Sequence, residues 1–371
     1  MSSLDVLLMA QQLRRSAAGG IGTYVLGLLQ GLDAMDEGSP DVTLVASRST
    51  HRNGGTDPLS SIGHPQRISR LPAPLLTRAW DHGVVRAPSG FDVVHATSLA
   101  TMATGRTPLV VTVHDLLWRR IPDAYPPRGR RWHEAALRRA LTRADRFIVP
   151  AGVVAHDLID AGASHEAISI VPMGSDHLPP PDRSGAAAHL ASLGVTGPFL
   201  LSVGTLEPRK NLQRLVEAYG AVRDRLPDPW PLVMVGPSGW GAQVDPQPGV
   251  VLAGSVSSPV LSGLYASARL LAYVPLIEGF GLPPVEAMAV GTPVVASPLP
   301  STEGAAFEVD PGDTEAIAEG LLAVATDDQL RAELVDRGAA RAAELAWTVI
   351  ARRHAEIWAQ TVAERGRGHV R

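Results

Sequence analysis

A chain of 371 residues suits two domains of ordinary size, and 45% hydrophobic against 19% charged residues gives enough apolar surface for two cores and no signature of disorder. A formal net charge of −4 excludes a whole-molecule field that would recruit nucleic acid, and the lack of any cysteine excludes disulfides, thiolate metal sites and cysteine nucleophiles together. That cysteine usage fits a reducing compartment, and the expected location is cytoplasmic.

Taken in chain order, the run Met1–Gln11 holds Asp5 and has no basic residue ahead of it, so it reads as a first strand, Asp5–Met9, and not as a secretory leader. No apolar stretch approaches the ~20 residues that span a bilayer. Gly19-Gly20-Ile21-Gly22 is expected to turn the chain before an amphipathic helix at Thr23–Leu32. It lacks the G-x-G-x-x-G spacing of a dinucleotide site, although its N–H groups could meet a phosphate or the transferred group. Further strands are predicted at Val42–Ala46, Asp92–His95, Leu109–Val113 and Arg146–Pro150. The loop His51–Pro65 is a candidate acceptor reader without a guiding motif. His95 and His114 each end a strand, at the edge where open sheets keep their ligands. His95 is read as structural, whereas His114, followed by Asp115, is the candidate to donate a hydrogen bond to substrate. Between Arg119 and Arg146 stand nine arginines against Asp123, Glu134 and Asp145, with Trp118 and Trp132 interleaved. A membrane surface or an anionic acceptor would suit such a face. Ala136, Leu137, Ala140 and Leu141 account for a buried stripe, so a solvated helix face is the preferred reading.

The sharpest composition break, LPPPDRSG at Leu178–Gly185, is placed as the interdomain linker. Beyond it, strands are predicted at Phe199–Val203, Leu232–Val235, Val250–Ala253, Leu270–Val274 and Pro293–Ala296, and a helix at Asn211–Leu226. Alternation of strands and helices argues for parallel sheets covered on both faces. Ser202–Asn211 reads SVGTLEPRKN and sets Arg209 and Lys210 just before a helix that Asn211 would cap, which makes an anion site. Val274–Gly291 reads VPLIEGFGLPPVEAMAVG. There Glu278 precedes a glycine turn, Pro283 and Pro284 open a helix, and Gly291 ends it. Glu278 and Glu286 are expected to point together into a cleft and accept hydrogen bonds from vicinal hydroxyls. A final helix is predicted at Trp347–Glu364.

Together, Gly19–Gly22, the strand ending at His114-Asp115, VGTLEPRKN at 203–211 and EGFGLPPVEAMAVGTPVVAS at 278–297 resemble family 4 of the retaining glycosyltransferases. The resemblance implies the α/β GT-B fold, two Rossmann-like doubly wound domains facing a central cleft. An N-terminal acceptor domain, 1–180, would be joined by the C-terminal helix from about 347 to 371 crossing back, and a donor domain would span 181–346. His114, Arg209, Lys210 and Glu278 would be catalytic, with the two cations on the donor diphosphate, Glu278 on the sugar hydroxyls and His114 beside the transferred sugar. Gly20, Gly204, Ser255, Val256, Phe280, Gly281, Leu282 and Glu286 would bind the donor, with Glu286 on the ribose and Ser255-Val256 beside the base. The expected co-substrate is a nucleotide diphosphate sugar, with no cofactor or metal, and the acceptor is a hydroxyl on a glycan, lipid or small molecule. An inverting transferase, a sugar-nucleotide epimerase or a non-catalytic binder are the alternatives. Three features depart from the family pattern: Leu276 replaces a small hydroxyl residue, the loop after Pro300 is short, and Pro150-Ala151 stands where a serine is common.

Overall fold

The computed structural model describes residues 3–15, 19–36, 38–49, 57–237, 239 and 247–368. The chain divides into two compact units: Met1–Met173 with Trp347–Arg371, and Gly174–Ala346.

In the first unit seven parallel strands form one sheet: β1 Asp5–Met9, β2 Asp41–Ala46, β3 Gln66–Ile68, β4 Val93–Ala96, β5 Leu109–Thr112, β6 Arg146–Val149 and β7 Ile168–Ile170. Their order is β3-β2-β1-β4-β5-β6-β7. Every residue of β4, β5 and β6 is buried, as expected for strands covered by helices on both faces. The order reverses between β1 and β4, so their carboxyl ends frame a crevice.

The second unit has six parallel strands: β8 Leu200–Val203, β9 Leu232–Val235, β10 Val250–Gly254, β11 Leu270–Tyr273, β12 Val294–Ala296 and β13 Phe307–Glu308, in the order β10-β9-β8-β11-β12-β13. Here the reversal falls between β8 and β11. Their ladder covers only Leu200↔Leu270 and Leu201↔Leu271, so the two strands part toward their carboxyl ends. Leu215, Val216, Tyr219 and Val222 of the helix Leu212–Val222 bury the 3.6-period stripe read from the sequence.

Three expectations are corrected. The helix near the start begins at Gly19, not Thr23, because the glycines take up its first turn: Gly19 has φ of 57° and Gly20 follows inside the helix Gly19–Asp33. The stretch taken as linker ends inside a helix: Asp182 caps Arg183–Ser192 by accepting from the Gly185 N–H, and this helix packs on Ser258–Ser267. The units part instead between Met173 and Gly174. Asn211 does not cap through its side chain; it adopts a left-handed conformation with φ of 59°, and its amide donates to the Val274 and Pro311 carbonyls.

The tail helix Trp347–Gly368 packs on Gly19–Asp33 within the first unit. Gly27 and Gly31 make this approach feasible. A Cβ on Gly27 would lie 2.1 Å from Cε2 of Trp347, and one on Gly31 would lie 2.2 Å from its carbonyl oxygen. Further along, Arg146 donates to Glu364 at 2.6 Å, and Arg365 pairs with Asp145.

Polar groups of this helix, of Gly19–Asp33 and of β5 and β4 form a directional chain. His354 Nδ1 faces the Ile350 carbonyl at 2.8 Å, so it carries the proton and Nε2 is the acceptor. The Tyr24 hydroxyl then donates to His354 Nε2 at 2.7 Å, Thr112 Oγ1 donates to Tyr24 at 2.9 Å, and His95 Nε2 donates to Thr112 at 2.8 Å. The bond from Tyr24 requires a neutral His354, whose Nε2 must stay an acceptor. Burial, as the largest cause, holds His354 down at about 4 and His95 well below the usual histidine value.

Candidate functional site

In the second unit, the residues singled out in the sequence follow the carboxyl ends of β8, β10 and β11. Gly204, Arg209 and Lys210 come after β8, with the two cations on a single 3₁₀ turn, Pro208–Lys210. Ser255 and Val256 lead from β10 into Ser258–Ser267. Glu278 lies in the loop after β11, and Gly281, with φ of 96°, precedes the helix Leu282–Ala289, whose Pro283 and Pro284 need no N–H partner. The Gly281 side that a Cβ would occupy faces Ser301 Oγ at 3.0 Å, so both space and φ favour glycine. No side chain caps this helix, and its first N–H groups have no intrahelical acceptor.

Glu278 is the hub of this site. Its Oε1 accepts from Arg209 Nη1 at 2.5 Å, from Lys210 Nζ, and from the Tyr273 hydroxyl at 2.9 Å. Lys210 also donates to the Tyr273 hydroxyl at 2.6 Å, and Arg209 Nη2 holds Glu207 at 2.6 Å. Two cations and two carboxylates thus balance in a nearly closed cluster, where Lys210 and Glu278 side chains are only 10% and 11% exposed. Burial pushes the Lys210 ammonium below its ordinary value despite the attraction of Glu278. For Glu278 burial acts upward, but the charges of Lys210 and Arg209 outweigh it and leave the carboxyl below its ordinary value. Burial, with Glu278 next to it, lifts the Tyr273 hydroxyl well above its ordinary value, so it stays a donor.

Glu286 departs from the expected geometry. It is the fifth residue of its helix and buried, where a carboxylate pointing into a cleft was expected. His177 Nε2 lies 2.9 Å from Oε1, and the Tyr265 hydroxyl donates to Oε2 at 2.7 Å. The two glutamates therefore differ in their partners: Glu278 is held by two cations and a hydroxyl, and Glu286 by an imidazole and a hydroxyl.

Sequence reasoning missed Tyr273, Glu207, His177 and Tyr265. Tyr273 and Tyr265 were hidden by apolar surroundings that read as core. Glu207 lies inside the quoted TLEPRKN and was given no role, and His177 carried no signal of its own.

Gly20 and His114 belong to the first unit. His114 lies beyond β5 and has its Nε2 3.0 Å from the Thr97 carbonyl, so that nitrogen is the protonated one and Nδ1 is left as an acceptor. This reverses the expected direction of its bond to a ligand. Burial holds His114 at about 4, leaving it neutral at pH 7. It lines a cavity of about 140 Å³ at the carboxyl edge of the sheet, together with Gln12, Ile21, Trp118, Trp132 and His133. Part of the loop His51–Pro65, residues 51–56, lies outside the described residues. Part of the arginine-rich stretch is paired: Arg119 with Glu134, Arg120 with Asp157, Arg139 with Asp81 and Arg146 with Glu364. Among the described residues no helix is long and apolar enough to cross a membrane.

A family model described as Glycosyltransferase Family 4 matches residues 18–177, and one described as Glycosyl transferases group 1 matches residues 197–327. The chain is 30% identical over 254 residues to O-antigen chain mannosyltransferase B of Escherichia coli, covering 64% of this chain and 66% of that protein. It is 31% identical over 279 residues to D-inositol 3-phosphate glycosyltransferase of Nocardia farcinica, covering 67% of this chain and 60% of that one. The aligned part thus spans less than two thirds of these relatives' own length. Among solved structures, Anabaena HepE in complex with UDP and glucose shares the fold with a TM-score of 0.69, at 20% identity over 96% of this chain and 99% of that chain. Two parallel-sheet units of the GT-B class, each matched by its own family model, the second carrying the charged cluster at the β8/β11 reversal, show that the chain belongs to the family 4 glycosyltransferases.

Proposed function

We propose that this chain transfers a hexose from a nucleotide diphosphate sugar to a hydroxyl acceptor, keeps the anomeric configuration and needs no divalent metal. The observation that carries the reading is the cluster of Arg209, Lys210, Glu278 and Tyr273, placed beside the free N-terminus of Leu282–Ala289 at a sheet reversal. Side-chain cations and unpaired helix N–H groups together match a diphosphate. The relatives' names, two glycosyltransferases and a neighbour holding UDP and glucose, support a nucleotide-sugar donor.

In this reading the bond from the sugar's anomeric carbon to the diphosphate oxygen breaks, while the acceptor oxygen bonds to that carbon on the same face. The acceptor's proton passes to the departing phosphate oxygen. Arg209 and Lys210 stabilise the growing negative charge on the leaving group, and this is the main contribution of the protein. As they engage the phosphate, Glu278 is released toward sugar hydroxyls. Glu286 would take the ribose, exchanging one of its present donors. Neutral His114 would accept through Nδ1 from a hydroxyl of the transferred sugar.

Two measurements test the proposal. Turnover with a nucleotide sugar should persist in EDTA, and a loss restored by magnesium or manganese contradicts the metal-free reading. Proton NMR should show the donor's anomer in the product; the opposite anomer means inversion.

A further inference from the structure

The first unit carries features that the donor reading does not use. Next to the cavity beside His114 is a groove of about 590 Å³, and the two share Gln11, Arg15, Thr77 and Trp132. Three guanidiniums line the groove or its rim, Arg15, Arg78 and Arg128, and they come from separate elements. Among the described residues none of the three has an ion-pair partner, whereas Arg119, Arg120 and Arg139 nearby all do. The one acid lining the groove, Asp81, is already taken: Arg139 pairs with it and Trp132 Nε1 donates to it at 3.2 Å. An excess of uncompensated positive charge therefore surrounds the opening, against a chain whose net charge is −4.

The cavity side of the groove is aromatic. Trp118 stacks on His133 with ring centres 4.6 Å apart and planes 18° apart, and Trp132 meets His133 edge-on at 5.0 Å. Both indole N–H groups are tied back, Trp118 to Glu134 at 2.8 Å and Trp132 to Asp81, which fixes the rings. Trp132, fixed and half-buried, offers an apolar ring to the C–H face of a pyranose, and Gln11, Gln12 and Thr77 line the same walls for its hydroxyls. His133 Nδ1 is buried with no partner, one further polar atom in the cavity wall.

We propose that this double pocket binds the acceptor, and that the acceptor is a phosphate-bearing sugar, its ring against Trp132 and its phosphate held by Arg15, Arg78 and Arg128. The inference rests on the glycosyltransferase reading above, and it adds the acceptor's chemical class. A planar guanidinium offers paired donors to phosphate oxygens, and three along one groove suit a phosphate better than a neutral glycan. A soluble sugar phosphate and a lipid-linked sugar phosphate share this chemistry.

Calorimetry of the whole chain with glucose 1-phosphate and mannose 1-phosphate, against their methyl glycosides, reads the proposal directly. At least one phosphate is expected to bind tenfold or more tightly than its methyl glycoside. The double variant Arg78→Gln/Arg128→Gln should lose that difference, and Trp132→Ala should weaken both ligands, with melting temperatures of the arginine variant unchanged. Sedimentation with vesicles carrying a prenyl diphosphate-linked sugar, against vesicles with phosphatidylglycerol alone, separates the lipid-linked source from the soluble one. Stronger binding of the sugar-bearing vesicles assigns the lipid-linked source and equal binding of both vesicles the soluble one, whereas equal binding of phosphate and methyl glycoside, arginine-independent binding, or no binding of any sugar phosphate overturns the proposal. UDP and GDP binding, measured in parallel, tests the donor site separately, so its failure is distinguishable from failure here.

Discussion

Glu278 and Glu286 stand eight positions apart in the sequence, yet removing each should do different things. Glu278→Ala frees Arg209 and Lys210 from their counter-charge, so affinity for UDP or GDP should hold or rise while turnover falls roughly ten- to hundredfold, in line with loss of a hydrogen bond to a charged group. Glu286→Ala should weaken the free diphosphate and the nucleotide sugar alike by a similar factor, because the ribose is common to both. Calorimetry with the diphosphate alone decides, and equal losses in the two variants would refute the division of roles. Tyr273→Phe removes the hydroxyl that bridges Lys210 and Glu278, and turnover should drop about fivefold with little change in melting temperature, the usual worth of one hydrogen bond. An unchanged rate would make Tyr273 a core residue only. Arg209, Lys210 and Glu278, singled out as charged residues beside glycine and proline, meet in one cluster, whereas Glu286, singled out with them, has other partners. Tyr273 and Tyr265 were not legible, since in the strand LLAY and a helix rich in leucine and alanine a tyrosine reads as packing.

At the scale of elements, buried strands were read to within a residue or two, because runs such as Leu109–Thr112 are apolar throughout. The edge strands Gln66–Ile68 and Ile168–Ile170 escaped: they are short and partly exposed, so no burial pattern marks them. The same logic hid the start of the first helix, since glycine carries no side chain with which to show a period. Yet Gly27 and Gly31 are where that helix meets the tail. Gly27→Ala would drive a methyl into the Trp347 indole and should cost about 1 to 3 kcal/mol, read as a lower urea midpoint. Adding Trp347→Leu should recover part of that loss. Additive losses in a double-mutant cycle would show that the two residues are not in contact.

For the molecule as a whole, acid is the informative stress. His354, His114 and His95 are all held below their ordinary value by burial, so the unfolded chain binds more protons than the folded one between pH 6.5 and about 4. Stability is therefore full above that window and is lost as pH falls through it. A proton on His354 Nε2 would also face the Tyr24 hydroxyl donor to donor and break the chain to Thr112 and His95. Melting temperature should fall steeply across this range, and His354→Gln should flatten the fall; parallel curves for the two proteins would place the acid sensitivity elsewhere.

The tail helix also bears on the order in which a ribosome delivers the parts. Trp347, Ile350, Ala351 and Trp358, all buried, belong to the first unit but leave the ribosome after residues 174–346. Until then the Gly27–Gly31 face of the first helix is uncovered and Tyr24 lacks its histidine. The unit translated first is thus the unit completed last, so a released chain truncated after Ala346 should hold a protease-resistant second unit and a first unit still open to cleavage.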